Sequence, residues 1–395
     1  MTLPAEVHGF DRRAADTLLD HFTRREGDVI SLARALVERE SPSGDLEGSH
    51  AVVDLLEDAL RETGVVHDHS RVLSEDYGEH LRVEAFGSAS SDTKPILLLG
   101  HTDTVHARGS LAERPWREEA GRLYGPGVFD MKANCALAVE AFAACARLGL
   151  KPRRPVVLLL TCDEEAGSNT GRALVEREAA RAECVLVPEP SAPGGRVKTG
   201  RKGTGMFTLR AEGRAAHAGL EPEKGVSAVL EMARQIERLH ELNDPARGVT
   251  VNVGVVSGGT RSNVVPAEAT AEIDLRFETN DDGARLEAAL LHPRPFDERV
   301  RLTVEGGINR PPLERTAEVV KLYEHARALA SVLGFELGET KVGGASDGNF
   351  AAALCPRVLD GLGVEGGGAH AVDEHILRED VARRGALLVA LISTQ

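Results

Sequence analysis

Three short apolar runs stand out along the chain: PILLLG at 95–100, VVLLLT at 156–161 and CVLV at 184–187. Runs this short, apolar on both faces and bounded by polar residues, are the pattern of strands buried in a parallel sheet. The Ala-rich stretch Ala133–Leu148 lies between the first two with the periodicity of a helix, and Thr170–Ala180 is a second helical candidate between the second and third. Strand and helix in alternation predict an open α/β sheet. Beyond residue 200 the pattern changes. Thr204–Ala211 alternates, with Phe207, Leu209 and Ala211 on one face; Val226–Leu242 is an amphipathic helix; Val249–Val256 and Ala269–Phe277 read as strands again. A short helix at Asp282–Leu291 and a strand at Val300–Val304 complete the order β-α-β-β-α-β, the ferredoxin-like arrangement. After the Pro-rich hinge Asn309–Pro312 come a helix (Leu313–Leu333), a Gly-rich loop, a strand (Arg357–Leu362) and a terminal helix. The expected fold is an α/β mixed sheet with helices on both faces, made of residues 1–202 and 312–395 and interrupted by a ferredoxin-like α+β insert at 203–311.

Composition excludes some partners. With 62 acidic against 47 basic residues the formal net charge is −15, so nothing is offered to neutralise phosphates, and neither nucleic acid nor an anionic membrane is an expected partner. No apolar run approaches the roughly 20 residues that span a bilayer. The opening MTLPAEVHGFDRRAADTLLDHF lacks the basic-then-apolar order of a secretory leader. Cys135, Cys145, Cys162, Cys184 and Cys355 are scattered and odd in number, which fits reduced, buried thiols in a cytoplasmic protein.

The polar residues that end the buried runs are of a restricted kind. The first run leads into His101-Thr-Asp103, the second into Asp163-Glu164-Glu165, the third into Pro188-Glu189. Ligand sites of open α/β sheets form at the carboxyl ends of strands, and His, Asp and Glu converging there are the donors of a zinc site. Asp130 lies in the loop before the Ala-rich helix and His370 after the last strand. Two histidines and several carboxylates suit two divalent ions sharing a carboxylate. Singly, each residue has an ordinary structural explanation: a hydrogen-bonded histidine, a turn-forming Asp, a solvated Glu pair at a helix start. Their joint placement is what points to metal.

The segments GHTDTV (100–105), YGPGVFDMK (124–132), TCDEEAGS (161–168) and PEPS (188–191) resemble the motifs of a large di-zinc metallopeptidase family that includes glutamate carboxypeptidase, aminoacylase and acetylornithine deacetylase. HAGLEPEKGVSA, SNVVP, DLRF and GGASDGNF extend the likeness through the insert and beyond. The resemblance implies a zinc-peptidase-like sheet, an insert serving as dimerisation or lid domain, and two Zn²⁺ per chain, with Co²⁺ or Mn²⁺ able to substitute. It makes Asp130 the bridging ligand, His101 and Glu189 the ligands completing one ion, and Glu165 and His370 those completing the other. It makes Asp103 the partner of the second ring nitrogen of His101, and it implies a cis peptide bond after Asp130. Adjacent glutamates cannot be told apart by position alone; the resemblance makes Glu164 the general base that takes a proton from water and hands it to the leaving amine. It places His217 across a homodimer interface, where it polarises the scissile carbonyl, and gives the substrate carboxylate to Asn263 and Arg276. Gly343 and Gly344 lie in the loop nearest the substrate backbone.

The implied activity is cleavage of an amide next to a free carboxylate in a short peptide or small molecule. The carboxypeptidase branch, releasing glutamate from peptides or folate-like N-acyl glutamates, is favoured by HTDTV, by the context of Asp130, and by Arg310, which matches an arginine facing an acidic side chain. The alternative is an N-acyl amino acid deacylase. Two other motifs are set aside. Gly344–Gly348 satisfies G-x-S-x-G around Ser346, but the preceding GETKVG is polar and short where a nucleophile elbow follows a hydrophobic strand. The glycines of GRKGTG (200–205) have the wrong spacing for a dinucleotide loop.

Overall fold

The computed structural model describes residues 6–7, 9–87 and 93–395; the first residues of the opening segment, read above as lacking a leader, lie outside the described residues. Gly200–Glu314 with Gly343–Ala345 form one compact unit, and the rest of the described chain forms the other.

The larger unit is built on an eight-stranded mixed sheet. Its order is Glu339–Val342, Val197–Arg201, Val358–Asp360, Cys184–Val187, Ile96–His101, Val156–Thr161, Gly78–Ala85, Val66–Ser74. The central strands run parallel: Val358–Asp360 with Cys184–Val187, that strand with Ile96–His101, and Ile96–His101 with Val156–Thr161. Because side chains alternate along a strand, each apolar run feeds two cores. Ile96, Leu98, Val156, Leu158, Leu160, Cys184 and Leu186 join one core with the helices Arg12–Val37, Leu46–Glu62, Ala133–Arg147, Ala317–Leu333 and Val381–Thr394. The equally buried Leu97, Leu99, Val157, Leu159, Val185 and Val187 face the other way, where the helices Arg172–Arg181 and Asp347–Ala352 pack on each other and on Ile96–His101. Helices therefore cover both faces. All five cysteines are free and buried. Among the described residues no helix is long and apolar enough to cross a membrane.

The second unit carries a four-stranded antiparallel sheet in the order Thr250–Gly258, Glu268–Phe277, Gly203–Glu212, Arg301–Arg310. Phe207, Leu209, Ala211, Ile273, Leu275 and Phe277 form its core with residues of the helices Ala228–His240 and Asn280–Leu291. Ser227 and Thr279 cap those helices, each accepting a backbone N–H near the start, as small hydroxyl residues at N-caps do. This is the ferredoxin-like order expected from the pattern.

Some elements differ from the sequence expectation. The last strand of this unit runs on to Arg310, taking in half of the expected hinge, because it pairs with Gly203–Glu212 along its whole length; Gly306, at φ +113, breaks the alternation that would have marked it. Leu313 is extended and pairs with Arg201, so the following helix starts only after Thr316, its N-cap. The polar GETKVG contains a real edge strand, Glu339–Val342.

Candidate metal centre

Every residue of the centre sits where regular structure ends. His101 is the last residue of the strand Ile96–His101. The preceding Gly100 packs closely on Met131, the neighbour of Asp130: a Cβ there would lie 2.7 Å from Met131 Cε and would push that side chain aside. Glu164 and Glu165 occupy the turn after Val156–Thr161, closed by Ser168 N–H donating to Asp163 O at 2.7 Å. Glu189 follows Cys184–Val187, and Asp130 lies in the irregular turn Val128–Lys132 that opens the helix Ala133–Arg147. The Asp130–Met131 peptide is cis. His370 stands in a loop with φ +64, a left-handed conformation uncommon for a non-glycine residue and often retained where a site demands it.

These residues form two half-sites sharing one carboxylate. His101 Nε2 lies 3.1 Å from Asp130 Oδ1 and 3.3 Å from Glu189 Oε1. His370 Nε2 lies 3.5 Å from Asp130 Oδ2 and 3.2 Å from Glu165 Oε2. The two oxygens of Asp130 thus turn to two different histidines. Donor atoms of His101, Asp130 and Glu165 all fall within 4.8 Å of one another, a spacing a metal ion can close.

The electrostatics agree. Burial opposes charge on His101, yet its contacts with Asp103, Asp130 and Glu189 leave its pKa well above the usual value. Asp130 and Glu165 raise His370 to about 10. Burial works against ionisation of Asp130, but His101 and His370 hold its carboxyl far below the usual range. Burial dominates at Glu165 and raises its pKa, and its Oε1 is buried with no hydrogen-bond partner. Two imidazoles held toward the cationic form by crowded carboxylates mark a place that stabilises positive charge. Divalent ions supply such charge and displace ligand protons on binding. The donor set therefore fits divalent metal.

Asp103 does more than orient an imidazole. His101 Nδ1 faces the Asp103 backbone carbonyl at 3.0 Å and its carboxylate at 3.4 Å, so that nitrogen carries the hydrogen and Nε2 is left for a ligand role. The shorter contact is to the carbonyl rather than, as expected, to the side chain. The carboxylate is engaged elsewhere: it accepts from the N–H of Glu164 at 3.2 Å, the N–H of Glu165 at 3.1 Å and Ser43 Oγ at 2.6 Å. One buried Asp thus fixes both adjacent glutamates, and Glu164 is itself buried beside the ligands. Lys198 is buried, and its charge helps hold Asp130 ionised.

The remaining expected residues belong to the second unit. His217 is exposed, and its segment is bridged to that of Asn263: Ala218 N–H donates to the Asn263 carbonyl at 3.0 Å. Arg276 forms a two-point ion pair with Asp274, both contacts 2.8 Å. Arg310 is buried. The carbonyls of Gly344 and Ala345 accept from Arg201 Nη1 at 3.3 and 3.2 Å, while nothing crowds a Cβ at Gly343 or Gly344.

Ser346 follows a strand after all, and it precedes a helix, yet it is a cap. Its Oγ donates to Asp360 at 2.7 Å and accepts the Gly348 N–H at 3.1 Å. Ser346→Ala is expected to cost about 1 kcal/mol in denaturant unfolding, as a lost N-cap does, while hydrolysis continues. A loss of about 10⁶-fold, the cost of deleting a serine nucleophile, would contradict the metal assignment.

One buried acid near the centre went unmarked in the sequence. Glu374, four residues after His370, accepts hydrogen bonds from the turn that carries Asp130. Glu374 in AVDEH was visible, but nothing local distinguishes it from a solvated acid.

A profile of peptidase family M20/M25/M40 matches residues 97–394. Carboxypeptidase G2 of Pseudomonas sp. is 30% identical over 361 residues, covering 90% of this chain and 86% of that protein. Succinyl-diaminopimelate desuccinylase of Verminephrobacter eiseniae is 32% identical over 323 residues, covering 75% and 78%. Among solved structures, aminopeptidase PepT of Bacillus cereus matches with a TM-score of 0.75 at 21% identity, over 93% of this chain and 98% of that one.

Proposed function

The chain belongs to peptidase family M20/M25/M40 and is a hydrolase acting on amide bonds, and from that membership we propose that it uses two zinc ions to release a C-terminal amino acid, glutamate above all, from short peptides or N-acyl glutamates. The observation that carries the metal reading is Asp130, whose two carboxylate oxygens turn to two different histidines with Glu189 and Glu165 beside them. Divalent ions held there would acidify water and stabilise negative charge developing on the carbonyl oxygen.

The chain's own residues then have distinct tasks. Glu164, its backbone N–H tied to Asp103, takes the proton of the attacking water and returns it to the leaving nitrogen. Asn263 and Arg276 receive the substrate carboxylate, a role suited to a guanidinium that binds carboxylates at two points, as Arg276 already does with Asp274. Arg310 faces the acidic side chain, and the Gly343-Gly344 loop leaves space for the substrate backbone. Arg276→Ala is expected to raise KM by about 10–100-fold, the loss of a charged hydrogen-bonding partner, with kcat changed less; steady-state kinetics checks it.

The active protein is proposed to be a homodimer in which His217 acts in the partner's site. Exposed His217 and the edge strand Thr250–Gly258 support this reading, since edges are usually covered. His217→Ala and Glu164→Gln should each be nearly inactive, and reassembled mixed dimers should recover part of the activity. Verified mixed dimers as inactive as either parent would exclude action in trans.

The substrate class is tested by a panel on zinc-loaded protein. Peptides and folates ending in glutamate should give higher kcat/KM than N-acetyl amino acids or N-succinyl-diaminopimelate; the reverse order would assign the deacylase alternative instead.

A further inference from the structure

The loops carrying Asp130 and His370 are tied together by one buried carboxylate. Glu374 Oε1 accepts the N–H of Phe129 at 2.8 Å and of Asp130 at 3.0 Å, and Oε2 accepts the N–H of Gly127 at 2.9 Å. Three amides of one short turn converging on an anion make a nest, an arrangement that favours negative charge. Gly127 stands at φ +73, and a Cβ there would lie 2.4 Å from Thr104 Cγ2, so the turn has no place for a side chain at this position.

Behind this nest lies a cationic support. His106 Nε2 contacts Glu374 Oε2, while its Nδ1 is 3.4 and 3.5 Å from the two terminal nitrogens of Arg114. Guanidinium nitrogens only donate, so His106 Nδ1 is the acceptor and Nε2 carries the hydrogen toward Glu374. Arg114 Nη1 also lies 3.4 Å from the carbonyl of Ala371, the residue after His370. The ring of contacts is therefore closed: Asp130 backbone to Glu374, Glu374 to His106, His106 to Arg114, Arg114 to the His370 loop, and that loop along the chain back to Glu374.

We infer that Glu374 is a positioning residue that fixes the shared ligand Asp130 and the ligand His370 relative to one another, with Arg114 and His106 as its support. The inference rests on the two-metal reading above. Its physical ground is that His370 holds its place in a left-handed backbone conformation, and Asp130 in an irregular turn. Neither ligand lies within regular structure: the strands Arg122–Tyr124 and His375–Leu377 pair nearby, and the Glu374 carboxylate adds the contacts that reach the Asp130 turn itself. A glutamine at 374 keeps the shape but aims an NH₂ group at N–H donors.

The test is zinc affinity, measured by competition with a chromophoric chelator on the full chain. Glu374→Gln is expected to bind one zinc about 10–100-fold more weakly than wild type, the usual cost of removing a group that orients a ligand. Excess zinc should restore kcat with KM unchanged, while the metal-free variant melts at the same temperature as metal-free wild type, which a merely destabilised fold would not do. His106→Gln, a milder change, should shift affinity in the same direction and covers the case in which Glu374→Gln does not fold. Unchanged zinc affinity in the folded variants would overturn the inference and leave the metal reading intact. Absence of zinc binding by wild type would instead remove the metal reading itself.

Discussion

Replacing Glu164 by Gln is expected to lower kcat by about 10²–10⁴-fold, the usual contribution of a general base, with zinc content unchanged. The amide keeps the size of the side chain and removes its ability to take a proton. Because Glu164 is held through its backbone N–H by Asp103, the substitution leaves that anchor in place. Glu165→Gln should behave differently: its carboxylate faces His370 and its Oε1 is a buried oxygen without a hydrogen-bond partner, so zinc binding should weaken first. Measuring zinc content and kcat for both variants separates base from ligand. If the phenotypes were exchanged, the two roles would be exchanged within an otherwise unaltered site.

Asp130→Asn should have the larger effect on metal. Both half-sites use this carboxylate, one through each oxygen. An amide offers one oxygen and turns an NH₂ toward the other histidine, so at least one half-site loses its shared ligand outright. The expected loss of zinc affinity exceeds the roughly 10–100-fold that outer partners of ligands typically cost, and activity should stay depressed at zinc concentrations that rescue Glu374→Gln. Equilibrium dialysis against buffered zinc reads this directly. Retention of both ions with native affinity would remove Asp130 from the bridging role.

What the sequence made legible follows from how each feature is encoded. Strands buried on both faces announce themselves as unbroken apolar runs, and so Ile96–His101, Val156–Thr161 and Cys184–Val187 were readable to within a residue or two. The helices Arg12–Val37 and Leu46–Glu62 carry no such run, because each exposes one polar face to solvent. The small sheet of Arg117–Glu119, Arg122–Tyr124, Gly366–Gly367 and His375–Leu377 escapes for another reason: strands of two or three residues have no period to detect.

The site divides in the same way. His101, Glu164, Glu165 and Glu189 follow strong strand signals, so their convergence could be argued from topology. Asp130 and His370 sit on irregular loops far apart in sequence; their residue types made them candidates, and the resemblance gave each its role. Glu374 is invisible to both routes, since its importance lies in three backbone amides that no sequence pattern reports. Asp103 lies beside His101, but its hold on the N–H groups of Glu164 and Glu165 depends on a turn whose closure only coordinates reveal.

The central claim is that amide hydrolysis here depends on metal held by His101, Asp130, Glu165, Glu189 and His370. It is tested most directly by titrating zinc into exhaustively chelated protein while following both bound metal and hydrolysis of a peptide ending in glutamate. Hydrolysis should be absent at the start and rise with occupancy to a plateau at up to two zinc ions per chain. Full hydrolysis by the chelated protein, before any zinc is added, would contradict it.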